Sequence, residues 1–486
     1  MSSFKLSIKN AGKVFEIELT PSSTGAFLKE KIQELTLIPP ERQKILIKGG
    51  KINDADVVSS LNLNLSQPIM VLGTPDKNLP SKPVVKQVFL EDLNANQLYK
   101  VSTDPSGLVN LGNTCYLNSS LQALYSIKIL RDRLKDPGLA SSAGNQASIK
   151  FNLALKSLFE QMDKKQESIK PLLPLTLIKQ INPEFGTTDN AGRPQQHDAE
   201  EAYSEMIRLI NDGLKLDDFF KLGFKAEQKC ISLPSDETVV TYDDALKLNC
   251  HIDIKTNFLR DGIINGLKET LEKFNPTLQS NAEYEINKTI TRLPRYLTVH
   301  FLRFFWRRDI GKKSKILRKV QFPFELDLAE MLDESIKADK VKVRDQIRKI
   351  EKDNLDLIRD FKKQKKDNSL TPLEQQEEDE LKVASIKSKF EDELVKVLPL
   401  GYDLQTGSEN PSSVYELTAV ITHAGASSES GHYQAYVKDD KDLDGDRWWK
   451  FNDDKVSPVS KEKIEQFAGG GESDSALILI YKGVGL

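Results

Sequence analysis

The run Gly107-Leu108-Val109-Asn110-Leu111-Gly112-Asn113-Thr114-Cys115 leads straight into Tyr116 to Gln122, so that a turn rich in Gly and Asn gives way to a helical pattern with a cysteine at the junction. Asn113 or Thr114 is placed to cap that helix. Leu117, Leu121 and Leu124 recur at helical spacing as one apolar stripe. Cys115 then falls in the first turn, among backbone N–H groups that have no intrahelical partner. Those amides and the helix dipole favour a thiolate, so the spacing predicts a lowered thiol pKa. Asn110, five residues upstream, offers a side-chain amide to an oxyanion formed when the thiolate attacks a carbonyl. The competing reading is a buried structural cysteine.

A nucleophile of this kind needs a base, and the chain has five histidines. His432 is the best placed, because the small, polar stretch Ser427 to Gly431 feeds it into the alternating run His432-Tyr433-Gln434-Ala435-Tyr436-Val437. Trp448 to Asn452 reads as a second strand that ends in a polar turn, and it can supply Asn452 or Asp453 as partner to the imidazole. The result is a Cys–His–Asn/Asp arrangement. A neutral tautomer with its Nδ1–H on Asn452 would point Nε2 at Cys115. His300 sits inside the alternating run Leu297 to Leu302 and reads as a satisfied sheet residue. His423 is the alternative base, although it precedes the loop rather than leaving it.

With these segments in hand the chain resembles the ubiquitin-specific proteases. The Cys115 segment matches that family's cysteine box. Its histidine box is matched by Tyr415 to His423 running into Ser430-Gly431-His432-Tyr433, and by Trp449-Lys450-Phe451-Asn452-Asp453. Gln195-Gln196-His197-Asp198-Ala199-Glu200-Glu201 and Tyr296 to Phe304 match two intermediate boxes. The resemblance covers residues 105–486 with one long interruption. It implies a papain-like thumb-palm-fingers domain, with Cys115 as nucleophile, His432 as general base, Asn452 as orienting residue and Asn110 as oxyanion donor. It also implies substrate contacts at Gln196, Asp198, Ser430 and Gly431. Many members carry Asp where this chain has Asn452, so Asp453 stays open as the third member.

The opening residues resemble ubiquitin itself. Phe4 to Ile8 and Val14 to Leu19 alternate around Asn10-Ala11-Gly12, Gly25 to Leu35 reads as a helix, and strands follow near Lys44 to Ile47 and at Pro68 to Leu72. That order predicts a β-grasp over residues 1–76. The module ends Leu72-Gly73-Thr74-Pro75-Asp76 without a diglycine, so it reads as a built-in docking domain. Leu46 and Val71 match ubiquitin's exposed apolar patch and are the expected partner contacts. Residues 77–104, with Pro80 and Pro83, read as a linker.

From about 330 to 398 the chain is dense in Lys, Glu and Asp. Ile347, Ile350, Leu357 and Phe361 lie on one helical stripe, and Val383, Ile386, Phe390 and Leu394 on another. These predict a charged helical hairpin, its second helix opened by a Thr371-Pro372 cap. The basic run Arg307 to Lys315 reads as an exposed loop. The fold class expected for the whole is α+β.

Composition narrows the function. Sixty-nine basic and 72 acidic residues give a net charge of −3, which favours neither nucleic acid nor an anionic membrane as partner. No run of about 18 apolar residues occurs, and the first residues lack a signal-peptide core. Three cysteines suit a reducing compartment better than a disulfide framework. Cys230 and the adjacent Cys250-His251 cannot make a four-ligand zinc site, so no metal or cofactor is expected. A ubiquitin-like domain, zinc-free fingers and the charged insertion together resemble the proteasome-associated branch of the family. That implies a thiol isopeptidase that is monomeric when free, present in cytoplasm and nucleus, and docked on the 26S proteasome through residues 1–76 to act on ubiquitin-conjugated proteins. Two other readings compete: a ubiquitin-binding regulator whose catalysis is dispensable, and a papain-like peptidase of unrelated substrates.

Overall fold

The computed structural model describes residues 3–47, 50–61, 63, 65, 67–73, 75, 104–138, 145–164, 166–189, 191–309, 311–363, 372–442, 445–471 and 473–486. Residues 77–103 of the 77–104 linker and the Thr371 cap lie outside these residues. The chain divides into two compact units, Met1–Asp92 and Leu93–Leu486.

In the first unit, strands Phe4–Asn10 and Lys13–Leu19 pair antiparallel through Ala11 and Gly12, whose φ values are 48° and 82°. Two successive left-handed residues twist a tight turn with the natural sense of the strands it joins. Helix Gly25–Thr36 starts at Thr24, whose hydroxyl accepts the Phe27 N–H, and it buries Leu28 and Ile32 against Leu6, Ile8, Ile17 and Leu19. Ile69–Leu72 runs parallel to the first strand and antiparallel to Lys44–Leu46, completing a β-grasp sheet. The register corrects one expectation. Ile69 and Val71 face the core, Val71 fully buried, while Met70 and Leu72 face outward. Successive strand residues point to opposite sides, so a one-residue error in reading the strand exchanges core for surface. The exposed apolar residues of this strand pair are therefore Leu46, Met70 and Leu72, each 45–47% exposed.

In the second unit, an antiparallel sheet forms the palm. Lys455–Ser460, Arg447–Asn452, Ser430–Lys438, Val414–Ser427, Ser475–Gly483 and Tyr296–Phe301 lie in that order, and Leu248–Cys250 adds a parallel edge. Tyr296–Phe301 is buried along its whole length because both faces are covered. One face packs on helices Cys115–Tyr125, Gln146–Asp163 and Ala199–Leu214, through Ala419, Ile421, Tyr433 and Ile480. The other packs Leu417, Tyr436, Trp448 and Tyr481 against Leu259, Ile263 and Phe467. The fingers are a second sheet, ordered Lys268–Asn275, Ser280–Arg292, Leu222–Cys230, Val239–Ala245. There Cys230, Ala282 and Tyr284 form a small core, and Asn275 Nδ2 donates to the Tyr284 hydroxyl and to Asp236. Among the described residues no group of three His, Cys, Asp or Glu side chains is placed to hold a metal.

The insertion is two helices, Glu334–Lys363 and Pro372–Val397. Val343 and Ile347, early in the first, meet Leu394 and Leu398 at the end of the second, so the pair runs antiparallel. Together they seat on Val414 and Val484 of the palm. Arg344 and Arg348 add ion pairs to Asp327 and Glu325. The expected stripe holds only near this base: Leu357, farther out, is 54% exposed. The basic run is not a loop but a hairpin, Phe304–Arg307 with Lys312–Lys315, and Lys313 pairs with Glu201 at 3.0 Å.

The register of the last β-grasp strand is testable in the full chain. Val71→Ala should destabilise the first unit by roughly 2 kcal/mol, as loss of a buried branched side chain does, and Leu72→Ala by less than about 0.5 kcal/mol. Amide exchange of Phe4 to Leu19 measures both; equal effects would contradict the register.

Candidate active site

The segment before Cys115 is shaped by contact with a turn far along the chain. Gly107 passes so close to Asp454 that a Cβ would lie 2.3 Å from its carbonyl oxygen, so no larger residue fits. Leu108 N–H donates to the Asp453 carbonyl at 2.9 Å. The chain then turns through Gly112 and Asn113, at φ 101° and 52°. Asn110 Oδ1 accepts the Gly112 and Thr114 N–H groups, and the Thr114 hydroxyl accepts the Leu111 N–H.

The expected caps therefore act elsewhere. Thr114 occupies the N-cap position, but its hydroxyl is committed to Leu111, and Asn113 donates to the Pro194 carbonyl. With no side chain over the helix end, the Cys115 and Tyr116 amides remain for the sulfur. The helix is buried on every side from Cys115 to Leu124, polar Asn118, Ser119, Ser120 and Gln122 included, so Leu117, Leu121 and Leu124 are part of a fully enclosed rod rather than one stripe.

That burial reverses the expected thiol shift. Desolvation pushes the Cys115 thiol up to about 11, the Asp453 charge adds to the rise, and the N–H groups of Tyr433, Tyr116 and Cys115 draw it down without offsetting it. The resting group is a thiol.

The amide of Tyr433, the residue after His432, hydrogen-bonds the sulfur. His432 Nε2 lies 2.6 Å from Asn452 Oδ1. The ring is thus turned opposite to the expectation: Nε2 carries the hydrogen given to Asn452, which makes Nδ1 the acceptor of the neutral ring. Asp453 does not touch the imidazole. At φ 53° it turns its carboxylate back to Asn110 Nδ2 at 3.0 Å and Asn118 Nδ2 at 2.8 Å. Asn118 was not singled out from the sequence; the signal available was a polar side chain one turn beyond Cys115 in an otherwise enclosed helix.

His423 is not a base. It is fully buried between Phe304 and Tyr433, its Nε2 is 3.1 Å from the Ser430 carbonyl, and burial lowers its pKa to about 4. It fixes the hairpin that delivers His432. Ser430 and Gly431 are exposed on that hairpin. Gly431, at φ 113°, has no room for a Cβ, which would stand 2.1 Å from the Ala424 carbonyl oxygen. His300 is buried in its strand near Glu200 and Lys247, also neutral with a pKa lowered to about 4, but its Nδ1 has no hydrogen-bond partner among the described residues, so it is not fully satisfied as expected. Asp198 caps helix Ala199–Leu214 by accepting the Glu200 N–H at 2.9 Å, and burial raises its carboxyl to about 6. Gln196 Nε2 is buried without a hydrogen-bond partner among the described residues. Asp198 lies by the Tyr433 hydroxyl, which meets the Ala199 amide and donates to the Ser428 carbonyl at 3.3 Å. Cys115, His432, Asn452, Asn110 and Asp198 are thus linked through Tyr433 and Asp453, whereas Leu46 and Val71 belong to the other unit.

Comparison with known proteins identifies the family. The family described as Ubiquitin carboxyl-terminal hydrolase matches residues 106–481, and the Ubiquitin family matches residues 6–76. Ubiquitin carboxyl-terminal hydrolase 6 of Schizosaccharomyces pombe is 35% identical, over 98% of this chain and 98% of its own. Ubiquitin carboxyl-terminal hydrolase 7 of Arabidopsis thaliana is 33% identical with the same coverage. Ubiquitin carboxyl-terminal hydrolase 14 of Caenorhabditis elegans is 30% identical, over 98% of this chain and 93% of its own.

The raised thiol pKa has a direct readout. With His432→Ala, alkylation of Cys115 by iodoacetamide should climb about tenfold per pH unit from about pH 7 to about pH 10 without levelling, since only the thiolate reacts. A plateau below about pH 9 would show that the helix amides outweigh burial.

Proposed function

The chain belongs to the ubiquitin carboxyl-terminal hydrolase family and is a deubiquitinating cysteine protease, and from that premise we propose that it cleaves the bond after ubiquitin's C-terminal glycine on conjugated proteins held at the proteasome. The observation that carries the reading is the short contact between His432 Nε2 and Asn452 Oδ1, made on the strand whose next amide, Tyr433 N–H, reaches the Cys115 sulfur.

The steps follow from the resting thiol. His432 Nδ1 takes the Cys115 proton as sulfur adds to the glycine carbonyl, while Asn452 holds the Nε2–H and so the ring. The oxyanion is met by the second hydrogen of the Asn110 amide, whose first is committed to Asp453, and by the Cys115 N–H. His432 then returns the proton to the departing amine, and the thioester carries ubiquitin. Water, deprotonated by the same imidazole, adds to the thioester, and sulfur leaves with the proton restored. Gln196 and Asp198, beside the helix-strand junction, and the exposed Ser430-Gly431 edge line the approach for the glycine tail.

Docking on the proteasome is assigned to the first unit, through Leu46 with Met70 and Leu72 rather than Val71. The enzyme would act wherever proteasomes are, in cytoplasm and nucleus. Hydrolysis of a fluorogenic ubiquitin C-terminal derivative by the full chain, with and without purified proteasomes, tests the reading. Cys115→Ala should lose on the order of 10³-fold or more in rate under both conditions. It should keep ubiquitin affinity within about twofold and remain captured by proteasomes. A variant that retained more than about 1% of the rate would overturn the nucleophile assignment, and loss of capture on deletion of neither Leu46 nor Leu72 side chains would move docking elsewhere.

A further inference from the structure

At the start of strand Ser475–Gly483, four polar atoms are buried without a hydrogen-bond partner among the described residues: Thr422 Oγ1, His423 Nδ1, Asp474 Oδ1 and Ser475 Oγ. Asp474 alone among them can carry a negative charge. An unpaired carboxylate oxygen in such a place costs stability unless charge compensates it. Burial raises the Asp474 carboxyl above the usual carboxylate range, and the groups that oppose this come from every element around it: the ammonium groups of Lys450 beside Asn452, of Lys315 on the basic hairpin and of Lys463 on helix Lys461–Glu465, and the His432 imidazole. Two of the lysines are already engaged, Lys315 with the His423 carbonyl and Lys463 with Gln466 Oε1.

Strand register relates Asp474 to the imidazole. His423 pairs with Ser475, and Ala424 pairs with His432. Asp474 immediately precedes the strand, and carrying this register one step further sets it level with Ala424, in one row with His432. Residues directly paired across antiparallel strands share a face, and two strand spacings separate the outer pair by roughly 10 Å of backbone. The residue between them is Ala424, whose side chain is a single methyl group.

We propose that Asp474 is a positioning residue for the proposed general base, its carboxylate facing His432 across Ala424 and supplying the negative charge that the neutral Asn452 lacks. The imidazolium formed when Cys115 gives up its proton is then stabilised from two sides: Asn452 holds its Nε2–H, and Asp474 acts through the field. This compensates for an orienting residue that has an amide in place of a carboxylate. The inference rests on the catalytic assignment above.

The pH dependence of kcat/KM for the full chain on a fluorogenic ubiquitin derivative tests it. Removing the charge in Asp474→Asn lowers the affinity of His432 for its proton. The acid limb should therefore move to lower pH by about half a unit to one unit, and the plateau should fall about threefold to tenfold as the base weakens. Asp474→Glu should keep the wild-type limb, and Asp474→Asn combined with Asn452→Asp should restore it, because a carboxylate again faces the ring. If Asp474→Asn does not fold, Asp474→Ser removes the same charge with less bulk. A purely structural residue would lower activity at all pH values without moving the limb; an unmoved limb, or no restoration by Asn452→Asp, overturns the proposal. Absence of hydrolysis by the wild-type chain would instead overturn the catalytic assignment itself.

Discussion

The active-site region depends on one carboxylate. Asp453, at the left-handed tip of the turn after Asn452, accepts from Asn110 on the loop before Cys115 and from Asn118 on the helix after it. Its carbonyl takes the Leu108 amide, and Gly107 presses on the next residue. Elements distant in sequence are thereby joined around the nucleophile. Hydrogen bonds to a charged acceptor contribute about 1.5–3 kcal/mol each, enough to hold the loop in register with the strand that carries Asn452. The same charge has a cost, since it adds to the forces that keep Cys115 protonated. Ordering of the loop is obtained at the expense of nucleophile acidity.

Thiol chemistry here is a contest of terms rather than a single effect. Three backbone amides favour the thiolate: that of Tyr433 on the palm strand, and those of Cys115 and Tyr116 at the head of the helix. Burial of the whole helix outweighs them, because a rod enclosed on every side removes the water that would solvate the charge. The base therefore works on a neutral sulfhydryl, and the reaction depends on how well His432 is oriented and how well its imidazolium is stabilised. His423, neutral and fully buried, serves the first need by pinning the Ser430 carbonyl.

Much of this was legible in the amino-acid order. The alternation around Ala11-Gly12, the helix beginning at Gly25 and the paired helices of the insertion follow local periodicity, and local periodicity is what those elements obey. Cys115, His432 and Asn452 stood out because their residue types sit where a turn meets a helix or a strand meets a loop. What local patterns miss is set by distant packing. Val71 reads as a surface residue through its match to ubiquitin's apolar patch, and a register one residue off inverts it. The sign of the Cys115 shift depends on helices and strands that cover it from elsewhere in the chain. Asp453 and Asn118 meet only through the tertiary fold, and the ring orientation of His432 depends on which nitrogen Asn452 reaches.

The claim that Asp453 acts by holding the Asn110 loop is tested most directly by a double-mutant cycle. Asp453→Ala, Asn110→Ala and the double variant would be compared in kcat/KM on a ubiquitin C-terminal derivative. If Asp453 works through Asn110, the double variant should fall within about threefold of the worse single variant, because the second change removes nothing that the first had left in place. Losses that multiply independently would contradict the clamp and give Asp453 a separate role.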